Sequence, residues 1–157
     1  MARRRRAEKR EIVPDPLYGN TLVTYMTNAV MQRGKKSVAS KIVYGAIEDI
    51  KKQMPDEDPI NVFTQAIENS APRLEVKSRR VGGATYQVPL EVKPHRQMAL
   101  SVRWLIQFAA NRKGVPMRRA LAMELMDAFR GQGAAIKKRD DTHKMAQANK
   151  AFAHYRW

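Results

Sequence analysis

Residues 73–93 read RLEVKSRRVGGATYQVPLEVK, and the rest of the chain is understood from this stretch. Its apolar residues alternate with polar ones, the period of a strand. On both sides they recur every three to four positions, the period of an amphipathic helix. Two alternating runs about Gly82-Gly83 predict a β-hairpin. Leu74 and Val76 share one face of the first strand, and Tyr86, Val88, Leu90 and Val92 share one face of the second. Placing both sets on one side requires opposed residue numbers to sum to an even value, pairing Val76 with Leu90, Leu74 with Val92 and Arg80 with Tyr86. The spacing therefore predicts an odd-length tip, Gly82-Gly83-Ala84, with a glycine at positive φ in a bulged turn. Pro89 is compatible because both strands of a lone ribbon are edges.

The other face of the first strand carries Arg73, Lys77 and Arg79, with Arg80 beside the tip. A two-stranded ribbon is marginal alone, so its base must rest on helices while its tip projects. A glycine-tipped arm bearing Lys77, Arg79 and Arg80 suits a phosphate-rich partner. Charged edges also block strand-on-strand aggregation, so the stretch by itself leaves both readings open.

Composition narrows them. At 157 residues, 43% hydrophobic and 29% charged, the chain reads as one globular domain with a real core. Its 30 Lys+Arg against 15 Asp+Glu give a net charge of +15. A surplus of that size repels itself unless a polyanion accepts it, which makes a nucleic acid the leading partner and an anionic membrane surface the weaker rival. The absence of cysteine excludes disulfides and thiolate metal sites. No apolar run approaches the roughly 20 residues that span a bilayer. The opening MARRRRAEKREIVPDP is basic with no apolar segment behind it, unlike a secretory signal, so a cytoplasmic location is expected.

Residues 1–17 read as a basic tail, with Arg3, Arg4, Arg5, Arg6, Lys9 and Arg10 ahead of Pro14 and Pro16, which folds along a nucleic acid when bound. Residues 18–157 read as the helical domain. The first helix is expected from an Asn20 cap to Arg33, with Leu22, Met26, Ala29 and Val30 inward and Gly34 ending it. Ser37 is the expected cap of the second, whose stripe is Ile42, Val43, Ala46, Ile47 and Ile50. Asp58-Pro59 opens the third, which buries Val62, Phe63, Ala66 and Ile67 and closes before Pro72. After the hairpin, Pro94 starts a fourth helix lined by Met98, Val102, Leu105, Ile106 and Ala109. It stops near Gly114, and a second apolar line of Trp104 and Phe108 marks it as the most buried. The fifth runs from Pro116 to Phe129 with Leu121, Leu125 and Ala128 inward. The sixth carries Met145, Ala148, Phe152 and Tyr155 and ends at Trp157. The fold class is thus mainly α: a six-helix single domain with a β-hairpin arm between the third and fourth helices.

Charge is uneven along this plan. Basic clusters fall at helix junctions: Arg33-Gly34-Lys35-Lys36, Arg112-Lys113, Arg118-Arg119 and Lys137-Lys138-Arg139. Residues 45–70 hold Glu48, Asp49, Asp56, Glu57, Asp58 and Glu68 against Lys51 and Lys52, a local net of −4, and should face away from any polyanion.

No catalytic set assembles. Gly34-Lys35-Lys36-Ser37 lacks the earlier glycine of a P-loop, since Ala29 stands there, and has Lys36 where Ser or Thr is needed. Gly131-Gln132-Gly133 follows a helix rather than a strand, so it reads as a helix break rather than a dinucleotide fingerprint. His95, His143 and His154 are well separated, and His143 reads as solvated charge at a helix start rather than a metal ligand or base. No nucleophile, base and orienter come together, and neither a metal nor another cofactor is called for. A winged-helix DNA regulator shares the order of three helices then a basic hairpin, but its recognition helix, residues 59–71, contains no Lys or Arg and carries Glu68. A nucleic-acid enzyme lacks a catalytic set.

Lys77-Ser78-Arg79-Arg80-Val81-Gly82-Gly83, continued by Tyr86-Gln87-Val88-Pro89, resembles the hairpin of the bacterial small-subunit ribosomal protein seven family. Arg3-Arg4-Arg5 with Pro14-Asp15-Pro16, Gly34-Lys35-Lys36 followed by Ile42-Val43-Tyr44, and the run from Lys137-Lys138-Arg139 to His154-Tyr155-Arg156-Trp157 agree with it in order and spacing. The resemblance implies six helices and an arm, direct binding to the 3′ major domain of 16S rRNA, and nucleation of the 30S head. It also implies an arm near the E-site tRNA and the mRNA exit, neighbouring small-subunit proteins as partners, and, in some members, repression of their own message. By position, the contacts it implies are the arginine tail, Lys35, Lys36, Arg79, Arg80, the tip Gly82-Gly83, Arg96, and Lys137, Lys138 and Arg139. Lys77 on the arm and Arg118 and Arg119 at a helix junction complete the candidate RNA-binding set. Val115-Pro116 and Thr142 stand where the family pattern has a more polar loop and an aliphatic residue.

Overall fold

Two of the expected caps open their helices. The structure is a computed structural model that describes residues 11–155. The Asn20 side chain accepts from the Leu22 amide at 2.8 Å and starts α1 (Thr21–Val30). Asp58 accepts from the Ile60 and Asn61 amides and, with Pro59 in the first turn, starts α3 (Pro59–Ser70). Between them α2 (Lys36–Gln53) begins after Lys35 without a side-chain cap, and Ser37, the expected cap, lies inside its first turn. After α3 come β1 (Leu74–Val81), β2 (Ala84–Glu91), α4 (Pro94–Ala110), α5 (Met117–Phe129), α6 (Ala134–Ala148) and a 3-10 turn (Lys150–Tyr155). Among the described residues the chain is mainly helical, with one antiparallel hairpin between the third and fourth helices.

Several boundaries and faces differ from expectation. α1 ends at Val30, three residues early, because Met31 turns extended; its buried residues are Val23, Met26, Thr27 and Val30, with Leu22 half-buried and Ala29 exposed. α4 stops at Ala110 rather than near Gly114. The most buried helix is α5, not α4: seven of its 13 residues are buried, and Ala120, Ala122 and Ala128 let α2, α3, α4 and α6 close around it. The main apolar cluster runs from Val23 and Met26 through Phe63, Leu105, Leu121 and Leu125 to Ile136. α6 ends at Ala148 and gives way to the 3-10 turn. The Asn149 side chain takes the Met145 carbonyl at 2.8 Å, and its own carbonyl accepts from the Phe152 amide at 3.0 Å. Met145 and Ala148, expected inward, are exposed, and Trp157 lies outside the described residues.

The hairpin register is the main correction. Val76 pairs with Pro89, Arg79 with Tyr86 and Val81 with Ala84, leaving a two-residue tip. Gly82 and Gly83 both have positive φ, 57° and 89°, the backbone that matches the twist of two strands joined by so short a loop. Tip chemistry therefore sets the register, and the apolar face of β2 (Tyr86, Val88, Leu90) stands opposite Arg79, Lys77 and Glu75. That pairing is stable because the face is covered by α6 and the 3-10 turn, so Val88 is fully buried, while Glu75 is met from α4 by Arg96.

Where the family pattern was broken, the structure is ordinary. Pro116 occupies the cap position of α5, where a missing amide costs nothing. Thr142 is buried with its hydroxyl donated to the Lys138 carbonyl at 2.8 Å, satisfied within its own helix.

Candidate nucleic-acid interface

The candidate cations divide by what they already hold. Lys35 and Lys36 stand exposed at the start of α2, in a loop tightened by positive φ at Arg33 and Gly34. Arg80 is exposed near the arm tip, Arg119 on the first turn of α5, and Lys137 and Lys138 on the first turn of α6. Among the described residues none of these six forms an ion pair with a carboxylate. Gly82 and Gly83 are exposed at the tip. Arg3, Arg4, Arg5, Arg6 and Arg10 lie outside the described residues.

The other candidates are spoken for. Arg118 grips Asp49 of α2 with two hydrogen bonds, 3.0 and 2.6 Å, with Glu48 at 3.8 Å. Gly45 makes the room: a Cβ there would lie 2.5 Å from the Arg118 side chain. These bonds hold the Asp49 carboxyl below the usual carboxylate range, against an opposing push from burial. Arg96 is bonded to both Glu75 oxygens at 3.0 and 2.9 Å, and Lys77 is 3.5 Å away. Burial alone would raise the Glu75 carboxyl, but Arg96 and Lys77 outweigh it and hold it low. Arg139 pairs with Asp140 and donates to the Asn69 carbonyl, stitching α6 to the end of α3. Arg79, on the covered face of the arm, donates to the Tyr155 carbonyl, whereas Arg80 next to it points to the opposite face.

The exposed cations gather at junctions. Arg33 and Lys35 edge a groove of about 500 Å³ whose wall includes Val38, Ile42, Ile106, Val115 and Met117, which brings the α1–α2 and α4–α5 loops together. Lys36 lines a second groove of about 310 Å³ with Pro14, Asp15, Pro16 and Tyr44, so the N-terminal segment enters beside it. Asp15 fixes that entry. It is buried, accepts from the Leu17 and Tyr18 amides at 3.0 and 3.1 Å, and takes the Tyr44 hydroxyl at 2.5 Å. The Asp15 hydrogen bond, then burial, pushes the Tyr44 hydroxyl up to about 12.

Sequence reasoning missed three arrangements. Arg112 is no surface cation: with Glu124, 1% exposed, it forms contacts of 3.2 and 2.6 Å, and with Asp127 one of 2.5 Å, while the second Glu124 oxygen caps α6 at the Ala135 amide, 3.1 Å. Tyr86 of the arm packs on Phe152 and Tyr155 at 5.2 and 5.1 Å between ring centres. His143 is not solvated charge at a helix start. It sits half-buried inside α6 and accepts from the Arg73 amide at 2.9 Å at the base of the arm. Burial, then the charge of Arg139, lowers its pKa, which favours the neutral ring that this bond requires. The only signal available for any of these was the glycine pair at 131 and 133: Gly133, at φ 93°, leaves 3.0 Å between a would-be Cβ and Asp127.

The family model described as Ribosomal protein S7p/S5e matches residues 2–150. A chain called small ribosomal subunit protein uS7 from Mesorhizobium japonicum is 59% identical over 157 residues, covering all of both chains. One of that name from Desulfotalea psychrophila is 56% identical over 157 residues, again all of both. Another from Thermotoga neapolitana is 57% identical over 155 residues, 99% of each.

Proposed function

Because the chain belongs to the family described as Ribosomal protein S7p/S5e, and so is a structural protein of the small ribosomal subunit rather than an enzyme, we propose that it binds the 3′ major domain of 16S rRNA directly and nucleates folding of the 30S head. The observation that carries this reading is the division of cations. Lys35, Lys36, Arg80, Arg119, Lys137 and Lys138 remain exposed without a described carboxylate partner, at helix starts and on the arm, and those are positions from which phosphates are gripped. Recognition is of backbone and shape, since an A-form groove hides its base edges and protruding cations reach phosphates first. The described segment Pro14–Pro16 enters beside Lys36, and the arginines that precede it in the sequence add phosphate contacts. The arm, braced at its base and carrying Arg80 outward, reaches the E-site tRNA and the exiting mRNA; a message that folds like the rRNA site would be bound by the same face.

A salt-series titration against a folded 3′ major-domain fragment, with duplex DNA of equal length as competitor, tests the reading. If about 6–10 phosphates are neutralised, affinity falls roughly 10³–10⁵-fold between 50 and 200 mM salt, and the duplex does not displace the fragment. Equal binding of duplex and fragment would overturn it, leaving only a general attraction of a basic protein for polyanions.

A further inference from the structure

On a chain of net charge +15, one groove is acidic. It lies where α2 ends and α3 begins, encloses about 590 Å³, and is floored by Tyr18, Ile47, Pro55, Pro59 and Ile60. Its charged wall is Glu48, Asp56, Glu57 and Asp58 against Lys51 alone. Asp58 is partly engaged in capping α3, and Glu48 shares Arg118 at 3.8 Å. Asp56 and Glu57 are exposed and, among the described residues, make no ion pair. The carbonyl end of α2 adds negative potential at the same place. Burial, then the charges of Glu48 in the groove and Asp15 outside it, raise the pKa of the Tyr18 hydroxyl.

We propose that this groove docks a Lys/Arg-rich segment of another polypeptide of the small subunit, with the aliphatic stems of its cations on Tyr18, Pro59 and Ile60 and their charged ends on Asp56, Glu57 and Glu48. Charge complementarity selects this occupant. A nucleic acid or an anionic membrane would meet like charge, and no cluster of three acidic or histidine ligands among the described residues could hold a metal ion. An apolar floor with an acidic rim fits side chains that are long and apolar up to a cationic tip, as Lys and Arg are. A protein whose other junctions are cationic thereby keeps a separate address for partners of its own sign of charge, leaving its phosphate-binding surface unoccupied.

The test uses the full chain and a fluorescein-labelled peptide of alternating Lys, Leu and Arg, with an otherwise identical peptide carrying Glu at the basic positions. Anisotropy gives affinity and amide shifts give location. The basic peptide should bind despite the net repulsion, shift Tyr18 and Ile60, and lose about tenfold in affinity when Asp56→Lys and Glu57→Lys exchange two attractive contacts for two repulsive ones. Glu68→Lys with Glu91→Lys changes net charge equally at two exposed positions elsewhere and should cost less than about twofold. An equal loss in both double variants, shifts confined to other elements, or no binding to the unaltered chain would overturn the proposal. Two further results would replace the occupant: self-association abolished by the Asp56 and Glu57 changes would make it a second copy. A tenfold gain in peptide affinity on replacing Arg3, Arg4, Arg5 and Arg6 with Gln would make it the chain's own arginines.

Discussion

Replacing Glu124 with Ala would leave Arg112 with Asp127 alone and the Ala135 amide without its acceptor. Breaking a buried pair in this way costs about 3–5 kcal/mol, which urea denaturation would read as a lower midpoint at an unchanged slope. Gly133→Ala strikes the same network from the backbone side. Its φ of 93° and the 3.0 Å approach to Asp127 put the loss at about 1–3 kcal/mol. Tyr44 gives a prediction in pH. The neutral hydroxyl is the form bonded to Asp15, so its folded pKa of about 12 lies above the ordinary 10.0. The stability it lends is complete below pH 10 and is lost as pH rises from there to 12. The difference in unfolding free energy between the unaltered chain and Tyr44→Phe should therefore shrink across that window; a constant difference would mean that the bond does not depend on the proton. None of these pairings was legible in the sequence. Arg112 and Glu124 are 12 residues apart, and only the way α5 folds back along α4 turns a member of a basic cluster into the half-buried partner of a buried carboxylate.

At the scale of elements, the helices were legible and the arm's register was not. Asn20, Asp58-Pro59 and Pro94 each satisfy or remove an amide at a helix start, a local effect that needs no knowledge of the fold. The even-sum pairing assumed that the apolar residues of both strands face one core. In the structure the ribbon is covered on one face by α6 and the aromatic residues of the 3-10 turn, and two glycines at positive φ fix a pairing that sets Arg79 beside Tyr86. The sixth helix stops short of its expected end for a related reason: Phe152 and Tyr155 keep a helical spacing, but after Asn149 they serve the arm. Tyr86→Ala removes both aromatic pairs, each worth about 0.5–1.5 kcal/mol, and should speed amide exchange along β1 and β2 while leaving α5 protected. Equal acceleration in α5 would show that the arm is not a separate unit. Acid should loosen the same element at its root. His143 must be neutral to accept from Arg73, so its contribution is intact above 6.5 and is lost as pH falls from there through its lowered folded value. Arg73 amide exchange in His143→Gln should accordingly lose its extra acid sensitivity.

Across the whole molecule the sequence told which regions were basic but not which cations were available. Arg118 and Arg119 are adjacent, both exposed, and look alike in a charge plot, yet one is held by Asp49 and the other forms no ion pair among the described residues. The salt dependence of RNA binding separates them. Lys137→Ala with Lys138→Ala should flatten the slope by about two units, and Arg118→Ala should leave it nearly unchanged. A change of about one unit for Arg118 would mean that RNA draws it away from α2. The clasp of the arm by Phe152 and Tyr155 also has a consequence in time. The chain is synthesised from its N-terminus, so the hairpin is made some 60 residues before the rings that brace it. Until the last residues clear the exit tunnel the arm has a shaped tip but lacks the rings on which Tyr86 packs. A chain clipped short of Phe152 would keep its helical core, its cations and the root of the arm on His143 and Arg96, while the outer half of the arm lost its steadying rings.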